Sequence, residues 1–344
     1  MKKSLLAFTL VGTFAYSAVA QTNVTIYGVA DAGIAINDSD APTDARTYRL
    51  ESGQQSGSRL GFRGTEDLGG GLSAIFTLEN GFSIDNGQLG QGGRLFGRQA
   101  WVGLNGNFGA VKFGRQYNPI RPALESIDPF ALGLAGNMTN VFLAYGERAD
   151  NTINYSTPKF GGFSGQVAYS LGEIAGSTSA GRQAGLLLGY NSGPINVVLA
   201  YHDQNLATAT GANSGSADTI MLGGTYDFSV AKLHAAYAVN KGETAAGATN
   251  VDSTDMMLGL TAKLGAGNVI ASYMRKNNDL AGNGDSNLWA IGYTYDISKR
   301  TNLYTSYGRV KNDPTGLVGF GGPLTAAGAG RDPSTFNVGV RHRF

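Results

Sequence analysis

Through most of the chain apolar residues recur at every second position. Val24, Ile26, Gly28, Ala30, Ala32 and Ile34 interleave with Thr25, Tyr27, Val29 and Asp31. The unit returns as Leu233, Ala235, Tyr237 and Val239 set against Lys232, His234, Ala236, Ala238 and Asn240. It returns again as Met256, Leu258, Leu260, Ala262 and Leu264 against Asp255, Met257, Gly259, Thr261 and Lys263, and as Trp289, Ile291, Tyr293 and Tyr295 against Leu288, Ala290, Gly292, Thr294 and Asp296. The final stretch carries Phe336, Val338, Val340 and Phe344 on one side and Asn337, Arg341 and Arg343 on the other. A period of two belongs to the β-strand, whose side chains point alternately to opposite faces. Each strand therefore separates a greasy environment from a wet one. Alternation alone does not say which face is turned inward: a soluble barrel hides its apolar face, and a membrane barrel displays it.

The connections between these strands also alternate. Tight, mostly Gly-rich turns fall at 67–71, 107–109, 159–162, 192–194, 228–230, 265–267 and 297–299. Between them lie longer polar segments near 37–57, 83–93, 116–150, 173–182, 205–217, 241–253, 278–286 and 311–333. Seven tight turns and eight long loops imply sixteen strands. Residues 21–344 then supply about 20 per strand with its share of connection, which suits strands of roughly ten residues tilted across a bilayer.

The amino terminus and the composition favour the membrane version. Lys2 and Lys3 precede an apolar stretch from Leu5 to Val19, and Ala18 and Ala20 stand before Gln21. This pattern predicts a cleaved secretory signal peptide over residues 1–20, too short in its apolar part to span a membrane. The chain has 52 Gly, 16 Tyr and 16 Phe, only 9 Pro and no Cys. An exported protein without cysteine is held by something other than disulfides and has no thiolate zinc site. The Gly is neither periodic in threes nor matched by Pro, which sets aside collagen-like and disordered classes. With 26 basic and 25 acidic residues, nothing in the overall charge points to nucleic acid or another polyanion. The expected fold is all-β: a 16-stranded antiparallel transmembrane barrel formed by residues 21–344, closed so that no strand edge meets lipid.

A barrel of that size is too wide for its side chains to fill, so it holds water unless something folds inward. The longest loop, about 116–150, has the right texture. Pro119, Pro122 and Pro129 stiffen it, residues 122–127 can form about one helical turn with Pro first, and Phe130, Leu132, Leu134, Met138, Val141, Phe142 and Leu143 make it apolar for a surface loop. Such a loop is at home against a barrel wall.

Several motifs carry a resemblance across the whole mature chain. Val24-Thr25-Ile26-Tyr27-Gly28, Ser58-Arg59-Leu60-Gly61-Phe62-Arg63-Gly64-Thr65-Glu66-Asp67-Leu68-Gly69, Phe113-Gly114-Arg115-Gln116-Tyr117, Asn154-Tyr155-Ser156-Thr157-Pro158 and Phe344 resemble the general porins of Gram-negative outer membranes. The match is best to the beta-proteobacterial branch, which includes anion-selective porins. The resemblance implies a homotrimer of sixteen-stranded barrels in the outer membrane, a third loop folded inward as a constriction, and passive diffusion of small hydrophilic solutes and anions. It also implies contact with lipopolysaccharide and outer-membrane lipid, and insertion by the barrel-assembly machinery, with Phe344 as the assembly signal. Arg59, Arg98 and Arg148 fall on the family's arginine ladder, and Asp128 on one of the loop acids facing it. Glu79 and Arg115 are expected behind the ladder, the carboxylate holding guanidiniums by charge-assisted hydrogen bonds. Two departures bear on selectivity: Leu132 stands where cation-preferring relatives often have a second acid, and Val29 where some have a wall lysine. Arg121, Glu125, Arg182 and Arg331 are expected to be solvated or to face lipopolysaccharide.

Enzymatic chemistry finds little support. His202, His234 and His342 lie singly in strand patterns, with no second histidine at metal-ligand spacing. No Gly-x-Ser-x-Gly, His-Glu-x-x-His or Walker sequence is present. No cofactor and no catalytic residue is expected. The remaining alternatives are a substrate-specific anion channel, an adhesin or structural barrel without conductance, and, least of all, an outer-membrane hydrolase.

Overall fold

The computed structural model describes residues 23–41, 46–142, 146–208, 210–320 and 328–344. The expected signal peptide lies outside the described residues. In chain order the strands are β1 (Asn23–Asp38), β2 (Arg46–Ser52), β3 (Arg59–Gly69), β4 (Leu72–Gly81), β5 (Gln99–Gly106), β6 (Gly109–Tyr117), β7 (Arg148–Ser156), β8 (Phe163–Ser170) and β9 (Gln183–Ser192). They continue as β10 (Ile195–Ala207), β11 (Asn213–Asp227), β12 (Ala231–Thr244), β13 (Thr249–Leu264), β14 (Gly267–Asn278), β15 (Ser286–Asp296), β16 (Thr301–Asn312) and β17 (Ser334–Arg343). A helical turn α1 (Gly90–Gly93) interrupts the β4–β5 connection, and α2 (Ile120–Ile127) and α3 (Thr139–Phe142) lie between β6 and β7.

Apart from β2 and β3, which both pair with β1, consecutive strands pair antiparallel, and β17 returns to β1 with Val29 opposite Arg343 and Asp38 opposite Ser334. The sheet is thus closed. The seventeen segments make sixteen staves, because β2 and β3 share one: β2 pairs with Ala32–Asp38 of β1 and β3 with Asn23–Val29. Phe344 completes the seam. Its amide donates to Gly28 O at 3.2 Å and its carbonyl accepts from Gly28 N at 3.1 Å, and a Cβ on Gly28 would run into the Phe344 ring.

The exposed apolar side chains, among them Ile220, Leu222, Tyr237, Leu258, Tyr273, Trp289 and Ile291, form one face of the sheet. Their neighbours on the opposite face, Thr219, Met221, Ala236, Met257, Ser272, Leu288 and Ala290, are buried. The apolar belt is therefore outside and the lumen inside, which resolves the ambiguity of the alternation. Three loops prove shorter than expected: β2 (Arg46–Ser52) lies within the segment near 37–57, and two further loops contract. The segments near 205–217 and 241–253 are mostly strand, leaving connections of 208–212 and 245–248. The reason is that the polar residues there pair across the ladder: Asn205 stands opposite Ser216, Ser216 opposite Glu243 and Lys241 opposite Asp252, with Lys241 Nζ donating to Asp252 at 2.5 Å.

After β6, residues 120–142 pack on the lumenal face. Ile120, Leu124, Ile127, Phe130, Met138, Val141 and Phe142 are buried in one cluster with Val198, Met221, Met257, Ile270, Met274, Leu288 and Val310 of the wall. Burial of each large side chain is worth roughly 1.5–3 kcal/mol, set against the entropy of ordering the segment. Close approach is possible because five lumenal positions are glycine: a Cβ at Gly185, Gly223, Gly259, Gly292 or Gly308 would press on Pro119, Ile127, Pro129, Phe130 or Ala135 respectively. The helix is longer than expected, running from Ile120 with Pro119 at its N-cap. Pro122 is tolerated as its third residue, since the first four helical N–H groups have no intrahelical acceptor.

Candidate pore site

The stave shared by β2 and β3 is broken by residues 53–58, and this break builds one side of the site. Asp31 on the lumenal face of β1 is fully buried. One carboxylate oxygen accepts from the backbone N–H groups of Gln55 (3.0 Å) and Ser56 (2.7 Å), and the other from the Tyr304 hydroxyl (2.7 Å). Asp31 thus draws the break into the barrel. From there Gln54 O accepts from Leu134 N at 2.5 Å, which ties the break to the inner loop. On its other side Arg59 Nη2 donates to Ser56 Oγ at 2.7 Å and Nε to Gly57 O at 3.0 Å. No carboxylate lies within 4 Å of the Arg59 guanidinium among the described residues.

Arg98 lies next to it, since a Cβ on Gly57 would come within 3.0 Å of Arg98 Nη1. Arg98 is nearly buried and pairs with Glu79 at 2.7 Å, and Glu79 also accepts from Tyr27 at 2.9 Å. Arg98 Nη2 and Arg148 Nη2 both donate to the Tyr117 hydroxyl, at 2.8 and 3.0 Å. The guanidinium carbons of Arg148 and Arg121 stand 4.6 and 4.8 Å from the centre of the Tyr117 ring. Glu147 pairs with Arg148 at 3.1 Å and Arg121 at 3.4 Å, and Glu125 with Arg121 at 2.8 Å. Four arginines from four places in the chain are thus gathered against three carboxylates, leaving one cation in excess.

Sequence reasoning named Arg59, Arg98, Arg148 and Glu79 as neighbours, and the structure brings them together. Three expectations need correction. Asp128 does not oppose the arginines across a pore. Its carboxylate is turned into the loop, accepting from the backbone N–H groups of Phe130, Leu132 and Met138, each at 2.9 Å. Burial pushes its pKa up to about 6 against those three hydrogen bonds. Arg115 is not behind the ladder with Glu79. The β6–β7 ladder skips it, and its guanidinium turns to Gly97 O (2.7 Å) and Asp150 (2.6 Å), where Arg94 also pairs. Arg121 is not solvated: it is buried and belongs to the cluster, with Glu125 one helical turn on.

Of the two departures, Val29 is buried on β1 and Leu132 packs half-buried against the loop core at a positive φ of 58°. Asp31, Tyr117, Arg121, Glu147 and Tyr304 are the site residues that sequence reasoning missed. The visible signal for Asp31 was a lone acid inside an apolar strand. For Tyr117 it was its place at the end of the Phe113-Gly114-Arg115-Gln116-Tyr117 motif, at the root of the long loop.

A guanidinium stays charged at any physiological pH, and its planar fork can be stacked on a ring while its N–H edges remain available. Clustered on the inner wall of a narrow passage, such groups act on passing ions far more than they would on an open surface.

Comparison with known proteins agrees with this geometry. A family model described as Gram-negative porin matches residues 7–315. An outer membrane porin protein of Bordetella pertussis and outer membrane porin protein 32 of Delftia acidovorans are each 36% identical, with all of both chains covered. The solved structure of an anion-selective porin from Comamonas acidovorans is similar at a TM-score of 0.83 and 34% identity, covering 94% of this chain and 100% of that one. The closed sixteen-stave barrel, the apolar belt and these full-length matches establish that the chain belongs to the Gram-negative porin family, a channel of the outer membrane rather than an enzyme.

Proposed function

We propose that this outer-membrane porin passes small hydrophilic solutes and ions by diffusion with a preference for anions, and that Arg59, Arg98 and Arg148 form the cationic side of its narrowest part. The observation that carries the reading is the excess of one guanidinium in the cluster beside the inner loop, with Arg59 the member that has no carboxylate within 4 Å among the described residues. The name of the Comamonas relative, an anion-selective porin, points the same way. In a planar bilayer separating dilute KCl solutions of unequal concentration, the purified protein is expected to give stepwise conductance and a zero-current potential of the sign for chloride. Absence of steps favours a structural or adhesive barrel, and the opposite sign refutes the anion preference.

The same reading places the chain in a homotrimer, its apolar belt in outer-membrane lipid and lipopolysaccharide. The outward face of β1 offers Ala30 and Ala32, small side chains that allow subunits to approach closely, beside Gly28, which the Phe344 ring covers. Phe344 is the assembly signal in this reading, and its seam contacts with Gly28 give it a further part in closure. On a denaturing gel the unheated protein is expected to migrate as a trimer that boiling converts to monomer. Deleting Phe344 should remove the trimer band from outer-membrane fractions. A monomer band alone from the unheated wild type refutes the trimer, and a normal trimer yield without Phe344 refutes its role.

A further inference from the structure

The geometry points to Tyr117 as a positioning residue for the permeation site: one neutral side chain that aims three of the arginines without cancelling their charge. This rests on the anion-preferring reading above. Tyr117 ends β6, at the root of the inner loop, and the arginines it meets come from elements far apart in sequence. Arg98 precedes β5, Arg121 lies on α2 and Arg148 begins β7. A phenolic oxygen has two lone pairs, and here it accepts from Arg98 and from Arg148, at 2.8 and 3.0 Å. The ring is used as well, by Arg121 and Arg148 at 4.8 and 4.6 Å from its centre.

The cluster also contains groups that orient arginine by the commoner means. Glu79 holds Arg98, and Glu147 holds Arg148 and Arg121. Each such carboxylate removes one positive charge from the wall as it fixes a guanidinium. A phenol and an aromatic face attract guanidinium through the hydroxyl dipole and the ring quadrupole and carry no net charge. With three carboxylates already present, a fourth in place of Tyr117 would bring the cluster to neutrality. Tyrosine is the residue that adds orientation and keeps the excess cation. Without the hydroxyl, Arg98 and Arg148 would turn the freed N–H groups towards Glu79 and Glu147, withdrawing charge from the passage.

The test compares Tyr117→Phe and Tyr117→Leu with the wild type, as folded barrels in planar bilayers under a dilute KCl gradient. The Phe variant keeps the ring and loses the acceptor. Its chloride-to-potassium permeability ratio is expected to fall about twofold, and that of the Leu variant about fivefold or more, as hydrogen bonds and ring contacts are lost in turn. A purely structural role would change folded yield or the conductance of all ions together and leave the ratio where it was. If the Leu variant does not fold, the Phe variant decides alone. A Phe variant with the wild-type ratio overturns the proposal, whereas a wild type that does not prefer chloride overturns the anion reading beneath it.

Discussion

Replacing Asp128 by alanine is expected to release the inner loop from the barrel wall while leaving the barrel intact. In the native loop this carboxylate is the common acceptor of three buried backbone N–H groups, those of Phe130, Leu132 and Met138. Each buried donor left without a partner costs about 1–3 kcal/mol. Asparagine supplies one oxygen, which can serve Leu132 and Met138 as Asp128 Oδ2 does now. Both substitutions remove the cost of burying a charge, so the difference between them isolates the lost acceptors. Two donors separate them, and the undocked population of the alanine variant should exceed that of the asparagine variant by at least about tenfold. Limited proteolysis of the folded barrel reads this directly, as cleavage within 120–142, and open-channel current noise should rise in parallel. Equal protection of the two variants would show that the apolar packing alone holds the loop.

The pH dependence of the same carboxyl has a definite sign. Its pKa in the docked loop is about 6, raised by burial above the ordinary 3.8. The docked state therefore binds the proton more tightly than the undocked state. Docking strengthens as pH falls through about 6 and reaches its limit below about 4, by an amount on the order of 3 kcal/mol. Acidification from pH 7 to pH 5 should protect the wild-type loop further, and the asparagine variant should lack that dependence.

Much of the fold was legible because a membrane barrel writes its architecture locally. The period of two identifies each strand, and tight turns at one end alternate with long connections at the other, so that sixteen staves follow from counting. The strand tops at 205–217 and 241–253 were not legible, because the same polar residues that mark a loop in isolation, such as Asn205 and Asp252, become ladder partners once a neighbouring strand stands opposite them. The site was legible only in part. Arg59 and Arg98 sit in recognisable motifs, but the orientation of Asp128 depends on three N–H groups converging from a folded loop, which no local pattern announces. Arg121 was misplaced for a related reason. Its charge suggested solvent, whereas its stack on Tyr117 and its two carboxylates make burial tolerable. The wall glycines show the opposite case. Gly185, Gly223, Gly259, Gly292 and Gly308 are visible in the sequence, yet only their common contact with the loop reveals that they are a track for it.

Neutralising Arg59 is expected to change ion selectivity more cleanly than neutralising any other arginine of the cluster. Arg98 shares its charge with Glu79, so its loss would leave a buried carboxylate unpaired at a cost of about 3–5 kcal/mol, and folded yield would fall together with any change in selectivity. Arg121 and Arg148 share Glu147. Among the described residues Arg59 is hydrogen-bonded to a hydroxyl and a carbonyl and to no carboxylate, so Arg59→Gln removes a guanidinium while Glu79 keeps its ion pair with Arg98. The change in ion energy is on the order of 1 kcal/mol, or about fivefold in the chloride-to-potassium permeability ratio at low salt. Leu132→Glu should move the zero-current potential in the same direction, because it adds an acid where the half-buried Leu132 now meets the loop core, and the double variant should move it further. Arg182→Gln serves as the control: Arg182 pairs with Asp203, which shares the outward face with Tyr201. Raising the salt should erase these differences as the Debye length falls from about 30 Å at 0.01 M to about 3 Å at 1 M. An Arg59 variant with the wild-type reversal potential in dilute KCl would move the selectivity determinant away from this cluster, while the barrel and its inner loop would stand.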